Sequence, residues 1–573
     1  MKKNAYYILI LLYFLSSCRK GYLDINTDPN NPTQITVQKL LPNAELSVAN
    51  SFDIGGGNQG GLSNTLAVYM HQIVQREDPF DYGATGDDFF LNDAWTRIYS
   101  ADVDLQTAIS KHGVLQNLEV IISQATAADN KIYSGIAKIL KAYAYSQFVD
   151  AFADIPFSEA EKFNEGISYP KFDKGEDIYP ALFSLLDEGI ADMQADAANN
   201  LRPGTDDVIY NGDVTKWIKA ANTIKLKLFA QERLVQDVSQ PVQALLSGGN
   251  LIGTTSESFL LPYGFSVTPD DRNIGFNDYI ATQRTNYISP WFYEILKGYN
   301  PKILTNIQDP RIPYYFYNQL APTQTSRENN STEYRDGGFV SIIFGSVGKD
   351  IGNAQDKSIT VLGIYPVGGK YDDGSAEAVS GSSGTGAAPY RFITYADRLF
   401  IEAELMKAGV IVGDARAKLQ EAMTESFNQV DYVINAFVKP AQSVPALSGT
   451  SAVTDYINAA MAWYDAHPSQ QMELILTEKW ISSFGSSVDQ YTDYRRTGYP
   501  ILFDPNNPQQ APNHFVQPPI EGNPALSGAQ LPVPVQLSIQ YPLSLPWPTA
   551  DLNTNPNAPE QKQPATYKVF WDK

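Results

Sequence analysis

Cys18 is the single thiol among 573 residues, and it stands where an apolar run ends. A lone thiol suits three roles: nucleophile, buried filler or attachment point. The other chemistry-bearing residues give catalysis little to work with. The four histidines, His71, His112, His467 and His514, are too far apart for a zinc motif, and H-E-x-x-H is absent. No G-x-S-x-G elbow and no P-loop occur. The 63 acidic residues leave a glycosidase-like carboxylate pair open, because its spacing exists only in three dimensions. Asp24-x-Asn26-x-Asp28 starts like a calcium loop but fails at Pro29 and Ile35, where that loop needs a glycine and a bidentate glutamate. No metal or cofactor is therefore expected.

Binding is better supplied. The chain holds 34 tyrosines, and aromatic residues make up 12% of it. A sugar offers flat apolar C–H faces rimmed by hydroxyls, which suit tyrosine and tryptophan flanked by amides and guanidinium groups. "RTNYISPWFYEIL" and "DPRIPYYFYNQ" have that composition, giving Arg284, Asn286, Tyr287, Trp291, Tyr293, Tyr314 and Tyr317 as candidate ligand contacts. The same residues suit a second role, filling a seam between two halves of the fold. Trp95, Trp217, Trp480 and Trp571 lie in segments of structural character and are expected in the core. Arg495 and Arg496 suit a ligand clamp or, more blandly, a helix-end salt bridge.

Residues around Cys18 decide its role. Lys2 and Lys3 precede an uncharged apolar run, Ala5 to Leu15. At ~1.5 Å per residue such a run covers about half of a ~30 Å hydrocarbon core, so it reads as a secretory signal and not as a membrane span. Leu15-Ser16-Ser17-Cys18 resembles the lipobox of bacterial lipoproteins, which implies cleavage before Cys18 and acylation of it. Several acyl chains on one cysteine hold durably where one alone is marginal, at ~0.8 kcal/mol per buried methylene. Without other cysteines there is no disulfide framework, so stability must come from a core.

Hydrophobic residues make up 43% of the chain, enough for one. The formal charge is −21, and loss of Lys2 and Lys3 with the signal carries it to −23. That argues against nucleic acid and anionic headgroups as partners, since both would be repelled.

The elements that must position these residues are mostly helical. Gly21 to Thr33 reads as a polar tether. Ile132–Ala153 sets Ile136, Ile139, Leu140, Tyr143 and Phe148 at three- and four-residue spacing, one apolar stripe. Asp177–Met193, Asp213–Val235, Ile393–Gly409, Asp414–Phe437 and Gln470–Gly485 are also expected to be helices. Asp213 and Asp414 act as N-caps, and Gly409 and Gly485 as stops. Alternation of small and bulky residues suits stacked helical hairpins. Leu251 to Pro389 is rich in Gly, Asn, Tyr and Asp, with short strands in "GGFVSIIFG" and "SITVLGIYPV" and a flexible loop from Gly374 to Pro389. Beyond Pro500 periodicity fades. Long irregular segments on a rigid scaffold are where binding concentrates.

Several segments resemble the SusD/RagB family of nutrient-binding lipoproteins, in its SusD-like branch. They include "GIAKILKAYAYSQFVDAFADIPFSEA", "PKFDKGEDIYPALFSLLDEGIADM", "DVIYNGDVTKWIKAANTIKLKL", "YADRLFIEAEL", "LTEKWISSFGSSVDQYTDYRRTGYP", "NTDPNNPT", "NTNPNAP" and the terminal "VFWD". One departure is "LSIQYPLSLPWP", uncharged where many relatives carry basic residues. The resemblance implies a mainly α fold with tetratricopeptide-like helical hairpins and a large irregular portion with short strands. It implies signal 1–17, a lipid-anchored linker 18–34 and a single domain 35–573, with helical blocks at about 35–240 and 390–498 and irregular portions at about 250–390 and 500–573. It further implies a non-enzymatic protein on the outer membrane, facing outward, that captures oligosaccharide or peptide for a SusC-like TonB-dependent transporter. A surface glycan-degrading enzyme and a ligand-free helical scaffold are the alternatives.

Overall fold

The computed structural model of the chain describes residues 35–55, 60–75, 82–99, 102–104, 109–111, 113–195, 201–281, 284–300, 302–324, 333–342, 344, 357–502 and 541–573. The signal, Cys18, the Asp24–Asp28 stretch, His112, His514 and Leu537–Gln540 lie outside them.

Helices build the scaffold. The first half holds α1 (Val37–Phe52), α2 (Leu62–Tyr69), α3 (Phe89–Tyr99), α4 (Val114–Ala127), α5 (Lys131–Phe152), α6 (Gly175–Gln194), α7 (Val214–Glu232) and α8 (Ser239–Gly248). The four short helices α9 (Ile274–Ile280), α10 (Pro290–Lys297), α11 (Ile312–Tyr315) and α12 (Ile364–Val367) punctuate the irregular portion. Then come α13 (Tyr395–Lys407), α14 (Ala415–Tyr432, with a π-helical end at Val433–Val438), α15 (Ser451–Ala466), α16 (Gln471–Ser482), α17 (Ser487–Thr497) and α18 (Thr549–Thr554).

The caps work as their side chains require. Asp213 accepts from the N–H groups of Thr215 (3.0 Å) and Lys216 (3.1 Å), and Asp414 from that of Ala417 (3.0 Å). Thr394 and Asp397 form a reciprocal capping box at α13. Such caps contribute roughly 1 kcal/mol each. Gly409 takes a left-handed φ of 73° just past α13. Gly485, at φ 93°, sits further from its helix than expected, because α16 already ends at Ser482.

Consecutive helices lie side by side, α5 against α4 and α6, and α13 against α14 and α16. Between α5 and α6 the backbones touch: a Cβ added to Gly135 would stand 2.7 Å from the Gly189 carbonyl. The sequence shows one apolar stripe on α5, yet the structure buries nearly its whole circumference, Ser134, Ser146, Gln147 and Asp150 included. α4, α6 and α17 cover most of it, with Ser134 donating to Asp192 and Gln147 to Asp489, and the tail closes its C-terminal end. Residues 541–573 return over α5, with Leu545 N–H donating to Ala151 O (2.8 Å), Trp547 Nε1 to Asp154 O (2.7 Å) and Trp571 Nε1 to Asp150 Oδ1 (3.0 Å). Asp154 also accepts from Lys174 (2.6 Å) and Tyr567 (2.5 Å). The aspartates of "FVDAFADIPF" are thus internal acceptors for the chain's final segment.

Among the described residues, strands form six antiparallel two-stranded ribbons. They are β1 (Ile73–Gln75) with β7 (Asn286–Ile288), β2 (Asp102–Asp104) with β3 (Ile109–Lys111), β4 (Ile155–Pro156) with β5 (Phe172–Asp173), β6 (Phe259–Leu261) with β12 (Tyr390–Ile393), β8 (Phe316–Tyr317) with β11 (Val361–Leu362), and β9 (Glu333–Asp336) with β10 (Phe339–Ile342). Of "SITVLGIYPV" only Val361–Leu362 is strand, the rest turning into α12. Ribbons this narrow cannot bury a face by themselves. They share one apolar core with the helices, reaching from Val37 to Trp571. Trp95, Trp217, Trp480 and Trp571 are buried in it, as the sequence suggested.

Candidate functional site

β7 carries the first predicted contacts. It pairs with β1 in the register Asn286↔Gln75 and Tyr287↔Val74. Asn286 Nδ2 donates to Gly55 O (2.6 Å), while Arg284 Nε donates to Tyr279 O (2.9 Å). Asp278 accepts from the N–H of Thr285 (2.8 Å), fixing the turn into the ribbon. α10 follows, started by Pro290 and ended by Gly298 at φ 71°. On it, Tyr293 stacks on Phe339 of β10, centroids 3.8 Å apart and planes 13° from parallel, and donates to Asp336 (2.7 Å). Tyr314 on α11 donates to Pro445 O (2.8 Å), and Tyr317 on β8 to Glu377 O (3.0 Å).

All of these candidates are buried; Trp291, at 8% exposure, is the most open. Arg284, Asn286, Tyr287, Trp291, Tyr293, Tyr314 and Tyr317 fill the seam and do not present ring faces to solvent, as exposed platforms would. The reason is geometric. Ribbons of two to four residues offer little surface of their own, and large rings with a polar edge supply apolar area to the core while their hydroxyls stay bonded.

Charge in the seam is internal too. The fully buried Arg311 meets Asp309 (2.6 Å) and Glu478 (2.9 Å) and lies 4.7 Å over the Phe427 ring. Asp53, at the end of α1, accepts from Tyr263 (3.1 Å) and Asn273 (3.2 Å), and burial pushes its carboxyl up to about 7. Arg496 grips Glu404 and Asp493, while Arg495 lies 3.7 Å over Tyr491 and donates to backbone carbonyls. Both arginines are buried, which makes them braces and not a ligand clamp. Among the described residues, no group of three or more His, Cys, Asp or Glu is placed to hold a metal ion. No described helix is long and apolar enough to cross a membrane.

A family model, SusD-like and described as starch-binding associating with outer membrane, matches residues 29–519. The chain belongs to that family. Solved structures agree on the SusD-like fold. A SusD/RagB family protein from Bacteroides thetaiotaomicron is 20% identical, with a TM-score of 0.57 over 91% of this chain and 95% of its own. A chitin-binding protein is 18% identical, with a TM-score of 0.62 over 94% and 99%. A SusD homolog from Bacteroides fragilis is 17% identical, with a TM-score of 0.61 over 94% and 100%. No curated protein matches the chain.

One opening escaped the sequence reading. On the helical half, α4, Lys141 of α5 and the loop 157–165 enclose a cleft of about 530 Å³. Its signal was present: Leu115, Leu118, Ile121 and Ala125 recur at helical spacing and are buried, which leaves Gln116, Glu119, Ser123 and Gln124 on the opposite face of α4.

Proposed function

We propose that this SusD-like protein is a lipid-anchored capture protein of the outer membrane. It holds an oligosaccharide, or a peptide, at the cell surface and passes it to a SusC-like TonB-dependent transporter. The family match over residues 29–519 carries this reading. A chitin-binding protein sharing the fold favours a glycan over a peptide. Acylation of Cys18 supplies the membrane hold, consistent with the absence of a membrane-crossing helix among the described residues. In this reading the seam residues Arg284, Asn286, Tyr287, Trp291, Tyr293, Tyr314 and Tyr317 act beneath the binding surface, holding irregular segments in place instead of stacking on the ligand.

Capture without turnover is the proposed chemistry. The test uses residues 19–573, free of leader and lipid, on a glycan and peptide array, followed by chromatography of the supernatant. Saturable binding with no new products supports capture. Shortened products would convert the protein to a surface hydrolase, and silence across the array would leave only the scaffold role. Retention of a β-barrel protein of the outer membrane on the tagged chain tests the transporter.

A further inference from the structure

The cleft on the helical half is lined by two sets of charges. The first is already paired. The Lys141 ammonium sits between Glu119 (2.8 Å) and Glu161 (3.3 Å), and the fully buried Tyr145 donates its hydroxyl to both Glu161 oxygens (2.9 and 3.1 Å). The second is free. Lys162, half-buried, and Glu165, exposed, also line the cleft, and among the described residues neither has an ion-pair partner. They bound a 3₁₀ turn, Phe163–Glu165, in which the Glu165 N–H donates to Lys162 O (2.9 Å). Residues three apart in such a turn eclipse one another. The ammonium and the carboxylate therefore stand on one side of the loop without closing on each other.

Two unpaired charges of opposite sign suit a ligand that carries both signs. A short peptide does so at its ends, with a free amine for Glu165 and a free carboxylate for Lys162. The remaining lining matches the rest of such a molecule. The amides of Gln116, Gln124 and Asn164 can each donate and accept, as a peptide bond requires. Val120, Phe157 and Ala160 give an apolar patch for a small side chain, and Phe157 is fixed edge-on against Tyr145, centroids 4.7 Å apart. A neutral sugar would leave both charges unmatched, and a singly charged ligand one of them. The volume, about 530 Å³, falls within the ~300–1,000 Å³ usual for small-molecule sites.

We infer that the cleft between α4, Lys141 of α5 and the loop 157–165 binds a zwitterionic peptide of two or three residues by its free termini, at a site separate from the irregular half. Titration calorimetry of residues 19–573 with dialanine, Ala-Leu and trialanine tests it, the N-acetyl and C-amide forms of each serving as controls. At least one free peptide should bind, and either blocking group should weaken it by about fivefold, the upper range for a partly exposed ion pair. Lys162→Gln should weaken the free peptide to the same extent and leave the C-amide form unaffected. Glu165→Gln should weaken the free peptide and leave the N-acetyl form unaffected. Both side chains reach solvent, so neither variant should shift the melting temperature. No binding of any of the three free peptides overturns the inference. Binding that is equal in wild type and both variants overturns it too, as does a loss that is the same for free and blocked peptides. None of these failures touches the capture reading, which the array decides on its own.

Discussion

Tyr293 separates a packed seam from a ligand platform. Its hydroxyl donates to Asp336 at 2.7 Å, and Tyr299 donates to the same oxygen at 3.1 Å. Tyr293→Phe therefore removes one hydrogen bond to a carboxylate that keeps another. Bonds to charged groups contribute about 1.5–3 kcal/mol, and the surviving partner moves the expected loss to about 1–2 kcal/mol. Tyr293→Ala also removes a ring stacked 3.8 Å from Phe339 in a site only 5% exposed. Emptying such a site costs about 3–5 kcal/mol. Urea unfolding followed by tryptophan fluorescence should show two graded downward shifts of the midpoint, the alanine variant well below the phenylalanine one. Ligand affinity of the phenylalanine variant, measured below its transition, should stay within about twofold of wild type, since no contact is lost at a surface. Unchanged midpoints together with lost affinity would refute the seam and restore Tyr293 as a ligand contact.

Cys18→Ala should move the protein from the membrane pellet to the soluble fraction, and intact-mass analysis should show acylation only with Cys18 present. Gly135→Ala should destabilise by about 1–3 kcal/mol in thermal melts, because its new methyl group meets the Gly189 carbonyl at 2.7 Å and forces α5 from α6. For pH, burial raises Asp53 to about 7 and Asp150 to about 6, both from 3.8. Stability from these groups is fully present below about pH 4 and is lost as pH rises through 6 to 7. Glu404, lowered to about 2, acts oppositely and loses its contribution only below about pH 4.5. The melting temperature should thus fall between pH 5 and pH 8, with a flatter profile in Asp53→Asn; a rise over that range would contradict the assignment.

Much of the helical half was readable from periodicity, since each of those helices buries an apolar face against neighbours already implied by the sequence. The caps Asp213 and Asp414 were readable for a local reason: a carboxylate two or three residues ahead of free N–H groups needs no tertiary partner. α15 escaped, and so did the turn of α12, a four-residue helix whose β-like composition is set by burial among rings. The burial of the predicted ligand contacts was not legible, because composition cannot tell a ring awaiting a sugar from one awaiting Phe339. Both need an apolar face and a polar edge. Asp150 and Asp154 were visible only as a motif, because their partners, Trp571 and Tyr567, arrive hundreds of residues later.

That separation has a kinetic meaning. Asp150 and Trp571 are joined across 421 positions of chain, and contacts so distant form late, since loop closure must be completed first. Before the far segment arrives, Asp150 can still accept from Tyr179 and Asp154 from Lys174, so only part of their bonding waits for it. Contacts of residues 541–573 with Asp150 and Asp154 should therefore be among the later ones to form.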